Sequence, residues 1–276
     1  MLEIIMNNLV LSAACGIDPN LIEFFLKSLR KFFNGKIHFL IGKNDDEIKE
    51  LLATYDGKYT EINVHKFDVQ IKRYYFYSKI LEENNFKNIL ICDSRDIYFQ
   101  SNPFDFNYKG EINFFLEGEK IKNCQFNTNW FLKAYGKQEF NKIGENIICC
   151  SGTTIGTHKG MKEYLNLMIK NSQEKKYKKR FKYLVTFRRD KDGRGVDQAY
   201  ANYIAHNNLV KNSILYNNET GPVATVYHLK RIKFNEKSEL TNSLNQPYSI
   251  VHQYDKRWEE FSEKVNIIKK NLGINF

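Results

Sequence analysis

The stretch NILICDSRDIYFQSNPF, residues 88–104, decides how the chain is read. NILIC (Asn88–Cys92) is the strongest candidate for a buried strand, a short apolar run with no polar alternation. It runs directly into DSRD (Asp93–Asp96), which sets two carboxylates and a guanidinium at the strand's carboxyl end. Charges are costly there unless paired or liganded. In an open α/β sheet that edge is where ligands bind. Two carboxylates so placed suit a divalent cation facing a diphosphate. The plainer alternative is a turn in which Asp93 caps the strand end and Arg95 pairs with Asp96.

Upstream of this strand the pattern alternates. NLVLSAA (Asn8–Ala14) reads as a buried strand, and Asp18-Pro19 as an N-cap with proline at the first helical position. Ile22, Phe25, Leu26, Leu29 and Phe33 then recur at helical spacing up to Asn34-Gly35. KIHFLI (Lys36–Ile41) and EINV (Glu61–Val64) are further strands, separated by a helix over Asp45–Tyr55. A third helix is expected over Gln70–Asn84. Such alternation predicts βαβ units, hence an α/β fold with a mostly parallel central sheet flanked by helices. Downstream the pattern is mixed: INFFLE (Ile112–Glu117), NIICC (Asn146–Cys150) and a strand near Ser249–His252 alternate with irregular segments.

At 276 residues, against roughly 150 per domain, one large domain is expected. No clean second-domain boundary or internal repeat shows. Within it, residues of about 8–100 carry the clear strand–helix alternation, about 101–258 the mixed pattern, and 259–276 a terminal helix. The apolar runs fall short of the about eighteen residues that a membrane span needs. The opening MLEIIMNNLVLSAACG lacks a basic region and does not read as a signal peptide. A cytoplasmic protein, at most peripheral to a membrane, is the expectation. The five cysteines, Cys15, Cys92, Cys124, Cys149 and Cys150, show no metal-ligand spacing and suit core packing.

The net charge of +10 is concentrated. Lys159 to Arg194 holds thirteen Lys or Arg against four Asp or Glu, a net of +9, which leaves +1 for the other 240 residues. This stretch is either a solvated helix face or a surface for phosphate or anionic lipid. Lys175, Lys176, Lys178, Lys179 and Arg180 would be the docking patch. No helix-turn-helix, RRM or zinc-finger signature supports nucleic acid, and none is expected as a partner.

Three segments join the acidic element. SGTTIGTHKG (Ser151–Gly160) reads as a polar loop that lets a ligand approach the backbone, though it is no P-loop. GVDQAYANYIAH (Gly195–His206) sets Asp197 and Gln198 at a helix start. IVHQYDKRW (Ile250–Trp258) places His252, Tyr254 and Asp255 after a short strand.

With CDSRDIYFQSNPF, CCSGTTIGTHKGMKEYL, GVDQAYANYIAH and IVHQYDKRW in this order, the chain resembles nucleotide-sugar glycosyltransferases of the GT-A fold over roughly residues 8–258. The resemblance implies a single GT-A-like, Rossmann-like domain over 1–276, with about 8–100 as its nucleotide-binding half and about 101–258 as its acceptor and donor-sugar half. It also implies transfer of a sugar from a nucleotide-diphosphate sugar to a glycan, glycolipid or glycoprotein acceptor. By that resemblance Asp93, Asp96 and His252 hold Mn²⁺ or Mg²⁺. Asp197 and Gln198 lie beside the donor sugar as the catalytic pair. Ser94 and Arg95 belong to the acidic element, and Ser151, Gly152 and Thr153 contact donor or acceptor. Ala13, Ala14 and Cys15 lie near the nucleoside, and Arg73 is aimed at the diphosphate. The usual DxD is absent: Arg95 holds the third position, where its guanidinium fork could carry part of the cation's charge. The resemblance to the glycogenin type tilts the expectation toward retention of configuration. A sugar-phosphate nucleotidyltransferase would need a GxGTR-like loop where SAACGIDPN stands. The alternative of another class is a non-catalytic protein that binds polyanions or membranes through residues 159–194.

Overall fold

The computed structural model describes residues 7–65, 68–174 and 195–274. Asp18 does cap the first helix, α1 (Pro19–Arg30): its carboxylate accepts from the Asn20 amide at 3.0 Å, and Pro19 occupies a position whose N–H would have no partner anyway. This helix ends earlier than its apolar spacing suggests. The other helices are α2 (Asp46–Thr54), α3 (Val69–Glu83), α4 (Gln125–Ile143), α5 (His158–Glu174), α6 (Val196–His206) and α7 (Trp258–Asn271).

Seven strands build the main sheet: β1 (Leu9–Ala13), β2 (Lys36–Gly42), β3 (Gly57–Ile62), β4 (Asn88–Cys92), β6 (Ile112–Lys120), β7 (Ile147–Thr157) and β8 (Ser213–Tyr216). Their order is β3-β2-β1-β4-β7-β6-β8. Every neighbouring pair is parallel except those of β7, which runs antiparallel to both β4 and β6. The α/β class with a mostly parallel, helix-flanked sheet is therefore observed. A second sheet, ordered β5-β10-β9, joins β5 (Ile97–Phe99), β9 (Val223–Thr225) and β10 (Ile250–His252).

Two local expectations fail for identifiable reasons. The third strand lies at Gly57–Ile62, not Glu61–Val64. As an edge strand it leaves Lys58, Tyr59 and Glu61 exposed, so it carries little apolar signal. The segment Ser151–Thr157 is no loop but the second half of β7, buried from Ile148 through Gly156. Lying between β4 and β6, it uses its backbone in two ladders, and its glycines admit neighbours that a side chain would exclude. A Cβ at Gly156 would fall 2.5 Å from the Glu111 carbonyl oxygen. The region read as irregular also contains α4, broken at Gly136 (φ 80°), whose aromatics do not form a simple stripe.

Apolar side chains bury both faces of the main sheet. Leu11, Tyr77, Ile91, Phe114 and Tyr164 pack on one side, and Phe25, Phe39, Leu90, Phe99 and Ile155 on the other. At about 1.5–3 kcal/mol for each fully buried large apolar side chain, these layers hold the strand ends in place. A third cluster, including Phe24, Tyr98, Val251, Tyr254 and Phe261, seats the small sheet and α7 against α1. That seating fixes where β10 ends. No helix among the described residues is long and apolar enough to cross a membrane.

Candidate functional site

The site forms where β4, β7 and β10 meet. Asp93 follows β4 directly, and its amide donates to the Gly152 carbonyl of β7 at 2.9 Å. The chain then turns through Asp96 into β5, which pairs antiparallel with β10 so that His252 stands opposite Ile97. Beyond His252, Gln253 adopts a left-handed conformation (φ 62°) and donates its amide to the Asp96 carbonyl at 2.8 Å. The small sheet thus carries a late histidine onto the acidic turn.

Asp93, Asp96 and His252 each offer one ligand atom within 4.8 Å of the other two. His252 Nε2 lies 3.5 Å from Asp93 Oδ2 and 3.6 Å from Asp96 Oδ1, and it has no hydrogen-bond partner although the residue is 1% exposed. Its Nδ1 lies 3.5 Å from Cys150 Sγ. A buried ring nitrogen aimed at two carboxylate oxygens, with no hydrogen-bond partner of its own, is costly for folding alone. The two carboxylate oxygens suit Mn²⁺ or Mg²⁺, and the imidazole nitrogen beside them suits Mn²⁺ better than Mg²⁺. Gly152 makes the room: a Cβ there would lie 2.5 Å from His252 Cε1 and 2.6 Å from Asp93 Oδ2. The residues fit a divalent cation.

Charge is distributed unequally across the cluster. Burial disfavours the Asp93 carboxylate, but Arg73 and His252 outweigh it and hold the group well below the usual carboxylate range. Its side chain keeps 37% exposure, so water screens part of that effect. Burial pushes Asp96 up, and Asp93 adds to the rise. For His252, burial disfavours the proton while Cys150, Asp93 and Asp96 favour it, leaving the group well above the ordinary histidine value. Arg95, on the exposed side, spans Asp96 Oδ2 at 2.9 Å and Asp255 Oδ2 at 2.6 Å. The pairing expected of a simple turn is thus present, alongside the three-residue cluster.

On the opposite face of β7 a second network closes. Arg73 on α3 is 5% exposed; Nη1 lies 2.5 Å from Asp93 Oδ1 and Nη2 lies 3.2 Å from Asp197 Oδ2. Asp197 Oδ2 also lies 3.1 Å from Ser151 Oγ and 3.4 Å from the Tyr74 hydroxyl. Gln198 Oε1 accepts the Ser151 amide at 3.0 Å, and Nε2 donates to Glu117 Oε1 at 2.8 Å. Asn202, one turn along α6, ties down the strand by accepting from the Cys149 amide (2.8 Å) and donating to its carbonyl (3.0 Å). Burial raises both Asp197 and Glu117, with Arg73 opposing in the first and Gln198 in the second.

The structure therefore brings together Arg73, Asp93, Arg95, Asp96, Ser151, Gly152, Asp197, Gln198 and His252. Arg73 is paired with two acids, the partly exposed Asp93 and the buried Asp197. Ser94 turns away, donating to the Ala13 carbonyl at 2.8 Å, which joins the ends of β4 and β1. Ala14 is buried, its amide bonded to the Leu40 carbonyl at 2.8 Å; Cys15 Sγ lies 3.8 Å from the same oxygen. Thr153 stands opposite Cys92 in the ladder, fully buried, with an unpartnered hydroxyl. Lys175, Lys176, Lys178, Lys179 and Arg180 lie outside the described residues. Glu117, Tyr74, Asn202 and the His252 contact of Cys150 were missed from sequence. An acid ending the apolar run INFFLE was the one available signal for Glu117. The chain matches no family model, and no curated protein matches it.

Proposed function

We propose that the chain is a GT-A-type glycosyltransferase that moves a sugar from a nucleotide-diphosphate donor to a glycan, glycolipid or glycoprotein acceptor. One observation carries this reading: Asp93, Asp96 and His252 converge from two sheets around space that only a glycine at 152 leaves open. The mostly parallel sheet with its ligand-type edge at β4 is compatible with it.

Asp93, Asp96 and His252 would hold Mn²⁺ or Mg²⁺, whose positive charge balances the donor diphosphate as it departs. Arg95 is 44% exposed beside that cluster and can swing a guanidinium fork onto the phosphates. Arg73, expected at the diphosphate, is paired with Asp93 and Asp197 and in this reading sets the spacing between the two groups of acids. Asp197 and Gln198, fixed by Arg73, Ser151 and Glu117, orient the donor sugar. Asp197 Oδ2 is surrounded by three donors, which suits orientation better than taking a proton and favours retention. The bond from anomeric carbon to phosphate oxygen breaks, the bond to the acceptor oxygen forms, and the acceptor proton passes to the leaving phosphate. Preorganised donors and charges of this kind are the largest usual source of rate.

A thermal-shift panel of nucleotide sugars, each with Mn²⁺ and with EDTA, tests the reading, because a ligand of the native state raises the melting temperature by mass action. One donor should stabilise the protein with Mn²⁺, and Asp96→Asn should remove the shift. A shift that survives EDTA would move charge neutralisation to Arg95. Absence of a shift with every donor contradicts the proposal.

A further inference from the structure

Near the start of α6, which carries Asp197 and Gln198, the described residues present one exposed aromatic ring and one half-buried one. Phe126 is 62% exposed and lies one turn from half-buried Trp130 at the start of α4, with ring centroids 5.9 Å apart and planes 32° apart. The inner edge of the Trp130 ring rests on Gly195, whose left-handed φ of 78° opens α6 two residues before Asp197; any Cβ at 195 would collide with that indole. The other wall is polar. Cys124, the N-cap of α4, lies near enough to His228 for the two to shift each other's titration, the thiol down and the imidazole up. His228 Nε2 lies 3.7 Å from Glu117 Oε2, has no hydrogen-bond partner, and its side chain remains 18% exposed. Glu117 Oε1 in turn accepts from Gln198 at 2.8 Å. An aromatic wall and an imidazole–carboxylate wall thus both run into the pair Asp197–Gln198.

We infer that Phe126 and Trp130 form a shelf for a sugar ring of the acceptor, with His228, backed by buried Glu117, reading its hydroxyls. This rests on the glycosyltransferase reading of the adjoining site. A pyranose has an apolar C–H face and a rim of hydroxyls, so it matches one flat apolar surface bordered by a few fixed polar groups. A folded protein partner matches less well. Stable interfaces bury about 800 Å² per partner, far more than two rings supply. Trp130 rests on Gly195, two residues before Asp197, which ties the shelf to the helix start proposed to orient the donor sugar. Exposing Phe126 to water costs apolar hydration that a stacked sugar relieves.

The chain has two tryptophans, Trp130 and Trp258. Trp258→Phe leaves Trp130 as the single indole reporter. Its emission is titrated with maltotetraose, cellotetraose and lactose, and the same samples are tested for donor-induced thermal shift. At least one sugar should give a saturable change, and Phe126→Ala should raise its half-saturation about tenfold or more while leaving the donor shift intact. Phe126→Leu, apolar but without a flat ring, should behave like the alanine variant. Because Phe126 is exposed, neither variant threatens folding. No response to any of the three sugars overturns the inference, as does an unchanged half-saturation in Phe126→Ala. Emission that responds to protein concentration and not to sugar means a second copy covers the shelf, and also overturns it. A sugar response without any donor shift would instead sink the transferase reading and leave the shelf standing.

Discussion

On one face of β7, Ser151, Asp197, Gln198, Arg73 and Glu117 satisfy one another through hydrogen bonds of about 3 Å. On the other face, Cys150 and Gly152 meet His252, whose Nε2 faces two carboxylates without a hydrogen bond. Adjacent residues of a strand point to opposite sides, so one short run, Cys150–Ser151–Gly152, serves both faces. The first face is a connected polar framework in which Arg73 answers Asp197 and Gln198 answers Glu117, with Arg73 Nε left without a partner. The second leaves a buried imidazole nitrogen facing two carboxylates without a hydrogen bond, which the proposed cation would answer. Arg73 joins them, because its guanidinium binds an acid of each. Folding stability should therefore depend on the first face and ligand binding on the second.

Removing the join should have the largest effect on stability. Arg73→Met leaves Asp93 and Asp197 without their shared cation, and breaking a buried pair costs about 3–5 kcal/mol, less here because Asp93 is partly exposed. The midpoint of urea unfolding measures it, and adding Asp197→Asn to Arg73→Met should restore part of the loss. A neutral Arg73→Met would show that the framework does not hold the two faces together.

Gly152→Ala sharpens the contrast from the other side. The new methyl enters the space between His252 and Asp93, so the Mn²⁺-dependent thermal shift should vanish. Stability should fall only by the overpacking cost of about 1–3 kcal/mol. A variant that keeps its metal response would mean the cluster does not enclose the cation. Equal losses of binding and folding would dissolve the distinction between the faces.

The smallest effect lies far from both. His38, hydrogen-bonded to Thr60 at 2.8 Å across β2 and β3, is pushed down to about 4 by burial, with Lys58 adding to the fall. Between the unfolded value near 6.5 and the folded value near 4, the unfolded chain takes up a proton that the folded chain refuses. Stability from this residue is present above that window and is lost as pH falls through it. Asp96, Asp197 and Glu117 act with the opposite sign, since their raised folded values let the native state hold protons longer. The difference between wild type and His38→Asn in urea unfolding at pH 7 and at pH 4.5 isolates the histidine. The wild type should lose more stability between the two; equal losses would mean that His38 titrates normally.

How much could be read beforehand follows the same division. β4 was legible residue for residue, because a fully buried central strand is a continuous apolar run. The Asp18-Pro19 helix start was legible too, since capping chemistry is local. Ser151 and Gly152 were picked out as site residues but assigned to a loop, because a buried strand built of Gly, Ser and Thr looks like one. Their backbone partners are the Gln198 side chain for the Ser151 amide and the Asp93 amide for the Gly152 carbonyl, which no local pattern encodes. Likewise, nothing near His252 announces Asp93; the two meet only through the β5–β10 pairing. Glu117 stayed hidden because its partners, Gln198 and His228, come from distant elements.

The most direct test of the central claim, a divalent-cation and donor-diphosphate site at Asp93, Asp96 and His252, is electron paramagnetic resonance of Mn²⁺ in the presence of UDP or GDP. The free-ion signal should fall by one Mn²⁺ per chain with one of these nucleotides, and should return in full with Asp96→Asn and with Gly152→Ala. A free-ion signal that the wild-type protein leaves undiminished with both, or that it diminishes equally in all three proteins, would contradict the claim.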